Sequence, residues 1–226
     1  MRKIILNHHV STIIAKCGET GEFLFGKYDS SYPGLNKHLI GKVKLLGGNY
    51  FAGRNHDISP EETLRRELGE EFSGKVATEG EMATLQRHVF ADEEEIRQVR
   101  EALLNFEPFQ DYFIHLPNQE NNPQIYFVQS VYISFISKGI IKIVKDNLRR
   151  GHSLTNEGLI AVHSLKDIME RRPATFGITG LIIGQAERTS VPYCFQDALT
   201  FAPIGLPRRT YPMYLNNFEY KDYSKE

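Results

Sequence analysis

Glu67, Glu70 and Glu71 follow directly on Arg65 and Arg66. Carboxylates this close repel one another unless a cation sits among them. Hard divalent cations such as Mg²⁺ take oxygen ligands, which carboxylates and substrate phosphates supply. The residue types therefore point to a metal site that handles phosphate. The plainer reading is a solvated acidic helix face, with Arg65 and Arg66 as intrahelical partners.

The element that must position them runs from Ser59 to Gly74 (SPEETLRRELGEEFSG). Ser59 is a good N-cap, Pro60 suits the first helical position, and Glu62 completes a capping box. Gly74 can adopt φ > 0 and end the helix. Leu64, Leu68 and Phe72 fall on one apolar stripe. Glu67, Glu70 and Glu71 flank that stripe, which places them at the edge of the buried face.

This stretch resembles the Nudix box, whose pattern is G-x5-E-x7-R-E-U-x-E-E-x-G-U, with U a bulky aliphatic residue. Arg66-Glu67-Leu68-Gly69-Glu70-Glu71 matches R-E-U-x-E-E, and Leu46-Gly47-Gly48 looks like the strand end that enters the family's loop. The first glutamate of the box falls on Ile58, with Asp57 beside it. The segment between Gly48 and the helix is longer than the family norm, and the late glycine falls on Ser73. The resemblance implies an α/β/α sandwich with a mixed sheet and a hydrolase using Mg²⁺ (or Mn²⁺). Its metal ligands would be Glu67, Glu70 and Glu71, with the Gly47 carbonyl. Arg66 would orient the glutamates, with Asp57 standing in for the missing partner. Glu157, in the loop before the last core strand, is a candidate further ligand, and it or one of the three helix glutamates, Glu71 among the catalytic candidates, would be the general base. The implied reaction is cleavage of the pyrophosphate bond in a nucleoside diphosphate linked to another group. The Asn-Glu-Gly-then-strand pattern at 156–158 leans toward ADP-ribose or nucleotide sugars.

The chain has 226 residues and a formal net charge of −1, which argues against a bulk polyanion surface and against a nucleic-acid partner. Cys17 and Cys194 stand alone and far apart, so neither a disulfide framework nor a zinc spacing is expected. The start has too short an apolar run for a signal peptide, and no stretch reaches the length of a membrane span. A soluble, cytoplasmic chain without a membrane partner is the expectation.

In order, Val10 to Lys16 reads as a β-rich strand, and Glu22 to Tyr28 as its hairpin partner. His8 and His9 precede it and read as surface or hydrogen-bonded residues. Lys42 to Leu46 is a short strand ending at Gly47-Gly48, where backbone can approach a ligand closely. Beyond it, Gly48, Tyr50, Phe51 and Arg54 are candidate substrate contacts: an aromatic for a base, an arginine for a phosphate. An ordinary surface loop is the alternative there. Asp92 caps a second helix to about Asn105, with Glu95 as capping-box partner and Ile96, Val99 and Leu103 inward. Strands follow over 110–116 and 124–136, then an amphipathic helix over 138–150 with Ile141, Ile143, Val144 and Leu148 inward. A strand and short helix occupy 159–172, and another helix 176–185. The final part, rich in proline and tyrosine, reads as irregular, with a disordered last stretch.

By its residues alone the fold class is α+β. The expected organisation is a domain over 1–190 with a helical insertion at about 75–109, and a C-terminal extension over 191–226 packed on it. The expected partner is a small-molecule nucleotide, with a homodimer left open. Two other functions compete. One is a catalytically inactive nucleotide-ligand sensor, which the changes at Ile58 and Ser73 favour. The other is hydrolysis of RNA ends, which wants a basic groove that the near-neutral charge does not supply.

Overall fold

The structure is a computed structural model. It describes residues 4–28, 40–49, 57, 59–74, 89–115, 125–156, 159–170, 172–189, 204–206 and 218–220. Along the chain these form β1 (Ile4–Cys17), β2 (Glu22–Lys27), β3 (Val43–Lys44), β4 (Leu46–Asn49) and α1 (Pro60–Glu71). There follow β5 (Val89–Phe90), α2 (Glu93–Leu104), β6 (Glu107–His115), β7 (Ile125–Ile136) and α3 (Lys138–Arg150). The remaining elements are β8 (His152–Ser153), β9 (Leu159–Ser164), α4 (Leu165–Met169), α5 (Thr179–Ala186), β10 (Ile204–Leu206) and β11 (Phe218–Tyr220).

The fold is α+β, a mixed sheet between helices. Its order is β10–β6–β7–β1–β2–β3, with β4 and β11 also on β1 and β9 also on β2. β1 pairs in parallel with β7 along nearly its whole length, from Ile5 to Cys17. Its other partners take successive stretches: β11 at Ile4–Leu6, β4 at Val10–Ile13, and β2 at Ala15–Cys17. β5 and β8 form a separate two-stranded ribbon.

Strand side chains alternate between faces, so β1 feeds two cores. On one face Ile13, Ala15 and Cys17 pack with Leu64, Leu68 and Phe72 of α1, Ile96, Val99 and Leu103 of α2, and Ile141 and Val144 of α3. On the other, Ile14 packs with Phe23, Phe25, Ile168 of α4, and Ile182 and Ile183 of α5. This is the expected α/β/α sandwich.

Several local expectations change. β1 begins at Ile4, so His9 lies inside a strand, buried, with Nε2 3.1 Å from Ser130 Oγ. The expected 42–46 strand is two strands, because Leu46–Asn49 leaves β2 and pairs with β1. Gly47-Gly48 therefore lie inside β4. Asp92 caps α2 through the Glu94 N–H, while Glu95 accepts from Asn147 Nδ2 at 2.8 Å instead of closing a capping box. On α3 it is Asn147 that is buried, and Leu148 is exposed. α5 begins at Thr179. The tail is not wholly irregular: β10 joins β6 and β11 joins β1, each using backbone groups a sheet leaves open at its margin. Among the described residues no helix is long and apolar enough to cross a membrane.

At Gly47 the sheet beneath α1 leaves no room for a side chain. Its φ is +119°, and a Cβ there would lie 2.2 Å from the Ser11 carbonyl oxygen and 2.9 Å from Thr12 Cα, both backbone atoms of β1. Gly47→Ala is expected to destabilise the fold by roughly 2–4 kcal/mol. Urea unfolding checks this: a lower midpoint at unchanged slope is the expected outcome.

Candidate functional site

α1 forms where its sequence signals place it. Ser59 Oγ accepts the Glu62 N–H at 3.2 Å, and Pro60 occupies the first turn. Because Leu64, Leu68 and Phe72 turn inward, the glutamates are carried to defined depths. Glu67 and Glu71 are buried, whereas the Glu70 side chain is 58% exposed.

Arg66 is the centre of the site. Its Nε donates to Asp57 Oδ1 at 3.0 Å and its Nη2 to Asp57 Oδ2 at 2.9 Å. Nη2 also lies 2.9 Å from Glu67 Oε1 and donates to the Asn49 carbonyl at 3.0 Å. Nη1 meets Glu70 Oε2 at 3.0 Å. Burial works against this guanidinium's charge, but the Asp57 hydrogen bond and the charges of Glu67, Asp57 and Glu70 outweigh it and raise its pKa above the usual arginine value. Arg66 thus stays charged at any working pH. Asp57, itself buried, also accepts from Thr63 Oγ1 at 3.3 Å. It is the fixed acidic partner of Arg66 that the change at Ile58 put in question.

Gly48 explains how Glu67 reaches the sheet. A Cβ at residue 48 would fall 2.1 Å from Glu67 Oε2, in the space the carboxylate occupies. Ser11 stands opposite Gly48, Ser130 opposite Ser11, and Asp111 opposite Ser130. Partners in register share a face, so Ser11, Ser130 and Asp111 continue the polar level of Glu67 across four strands, all buried. His9 joins this level through Ser130. Sequence reasoning did not find this row. Its signal is faint: serines in strands that otherwise read as apolar.

The loop before β9 docks on the end of α1. The Asn156 N–H donates to the Glu71 carbonyl at 2.9 Å, and its Nδ2 donates to the Glu70 carbonyl at 2.8 Å. Of the expected site residues, Arg66, Glu67, Glu70, Glu71, Gly47 and Gly48 are thus described and gathered around α1 and β4. Tyr50, Phe51, Arg54 and Glu157 lie outside the described residues.

The donor set suits a hard divalent cation: carboxylate oxygens, with backbone kept free of side chains at Gly48. Among the described residues no three His, Cys, Asp or Glu side chains converge as a ready metal cluster. Arg66 holds oxygens of both Glu67 and Glu70.

No protein-family model and no curated protein matches the chain. Solved structures do. The chain is similar to a mutator MutT protein from Bacillus halodurans, at 12% identity and a TM-score of 0.45, over 88% of this chain and 97% of the other. It is similar to the Nudix domain of Shewanella oneidensis NrtR, solved in complex with ADP-ribose, at 14% identity and a TM-score of 0.41, over 83% of this chain and 89% of the other. A third is the E. coli ORF135 protein, at 11% identity and a TM-score of 0.34, over 74% of this chain and 79% of the other. Nudix proteins are therefore among the solved structures this chain resembles. At these identities and scores the chemistry of the site rests on its own geometry.

Two substitutions separate the buried ion pair from an exposed one. Asp57→Ala leaves a guanidinium only 17% exposed without its main partner and is expected to cost roughly 3 kcal/mol. Glu61→Ala removes the Arg65 pair, exposed at 47% and 51%, and should cost under about 1 kcal/mol. Denaturant midpoints of the two variants give the comparison, and equal losses would contradict it.

Proposed function

We propose that this protein is a metal-dependent hydrolase that cleaves the pyrophosphate bond of a nucleoside diphosphate linked to another group, with ADP-ribose and nucleotide sugars as the preferred class. The observation that carries the reading is the part-buried Arg66 hub, which gathers Asp57, Glu67 and Glu70, with Glu67 against Gly48 and Glu71 buried on the same helix.

Glu67, Glu70 and Glu71 would hold Mg²⁺ or Mn²⁺, with the Gly47 carbonyl as a further oxygen ligand. When bound, such an ion neutralises phosphate charge and acidifies a water. The chain's own residues do the rest. Arg66 keeps Glu67 and Glu70 close despite their mutual repulsion. Gly48 leaves bare backbone beside the Glu67 carboxylate, room that a side chain would take. Glu157 is assigned the water's proton. Arg54 is assigned a substrate phosphate, and Tyr50 or Phe51 the base.

One observation favours a second reading, a nucleotide sensor without catalysis: Arg66 occupies oxygens of two of the three proposed ligands. A panel of nucleoside diphosphate derivatives, incubated with Mg²⁺ or Mn²⁺ and read by product mass, separates the two. The hydrolase predicts metal-dependent products that disappear with chelator. The sensor predicts compounds that raise the melting temperature and are recovered intact. Glu71→Gln is expected to fold normally and to lose at least about 10²-fold in kcat. An unchanged kcat in that variant removes the hydrolase reading.

A further inference from the structure

The last turn of α1 is held from outside the helix. The final carbonyls of any helix have no partner within it, and such turns fray. α1 has no basic residue in its last turn. Asn156, 4% exposed, reaches two of these carbonyls together: its backbone N–H donates to Glu71 and its side-chain amide to Glu70, whose carbonyl also accepts the Ser73 N–H at 3.3 Å. The same amide nitrogen lies 3.3 Å from Ser73 Oγ. Glu70 and Glu71 are the two residues of that turn whose carboxylates bear on the site. Any rotation of the turn moves both.

An amide suits this position because it donates without bringing charge. A lysine there would pair with the carboxylates themselves. An aspartate would set a negative charge against the negative end of the helix dipole.

We propose that Asn156 is a positioning residue for the acidic cluster, locking the turn of α1 that carries Glu70 and Glu71, with Ser73 as its second anchor. The inference rests on the reading of that cluster as a divalent-cation site. It gives Ser73, where the resembled pattern has glycine, a use for its hydroxyl.

Mn²⁺ alone is the probe. Titration of the full chain, read by the electron paramagnetic resonance signal of free Mn²⁺, is run beside thermal unfolding of the same samples. Asn156→Ala is expected to weaken Mn²⁺ binding by about 10-fold. Its melting temperature should fall by only about 4–8 °C, as two lost side-chain hydrogen bonds predict. Binding within roughly twofold of the native chain overturns the proposal. So does weaker binding accompanied by a large fall in melting temperature, which marks Asn156 as structural only. A native chain that takes up no Mn²⁺ removes the hydrolase reading and the clamp with it. If Asn156→Ala does not fold, Asn156→Leu keeps the size, removes the amide donor without adding charge and carries the same comparison.

Discussion

One guanidinium holds the acidic site together. Glu67 and Asp57 are buried, and two carboxylates out of water are tolerable only with a cation and well-placed donors around them. Arg66 supplies both. Its planar fork meets Asp57 with two nitrogens, and its remaining edge reaches Glu67, Glu70 and the Asn49 carbonyl. A lysine ammonium has three donors and no fixed plane, so it could not span β4, Asp57 ahead of the helix cap and the helix itself at one time. The hub also binds together elements that come from separate parts of the chain. Asn49 ends β4, Asp57 precedes the helix cap, and Glu70 lies one turn beyond Arg66.

The backbone beneath that hub is shaped for it. Gly47 lets β4 press against β1, and Gly48 lets a carboxylate lie directly on the strand. The two glycines thus do different work: one serves sheet packing, the other the placement of Glu67. Asn156 completes the enclosure from the far end of α1. Gly48 and Asn156 meet the helix from two other elements, and Arg66 on the helix itself ties its glutamates to Asp57 and Asn49.

The sequence was most legible where local rules act alone. The Ser59 cap, Pro60 and the Leu64–Leu68–Phe72 stripe predict α1 nearly to its ends, and the same logic gives α3 with Gly151 as its left-handed stop. It was least legible where distant partners decide. Nothing local says that Leu46–Asn49 leaves β2 for β1, or that Ile204–Leu206, set between Pro203 and Pro207, joins a sheet. Asn147 was missed on α3 because its burial depends on Glu95, which lies on another helix. At the site, spacing drew attention to Glu67, Glu70 and Glu71, and the role expected of Arg66 came from the family resemblance. Asp57 was named as the stand-in partner of Arg66, and it is that partner. The Ser11–Ser130–Asp111 row and the reach of Asn156 are properties of the assembled sheet.

The tiling of β1 has a consequence for how the molecule comes together. One edge of this strand belongs to β7, while the other is divided among β11, β4 and β2. Only the β2 pairing is local, a hairpin closed by a short turn. β4 comes from further along the chain, and β11 from its far end, bringing residues 4–6 beside 218–220. Loop-closure entropy orders such events, so long-range pairings form after short ones. The margin of β1 therefore costs more chain entropy to fill toward its start than at its C-terminal end. The strand that carries the glycine pair closes a shorter loop than the one that joins the two ends of the described chain.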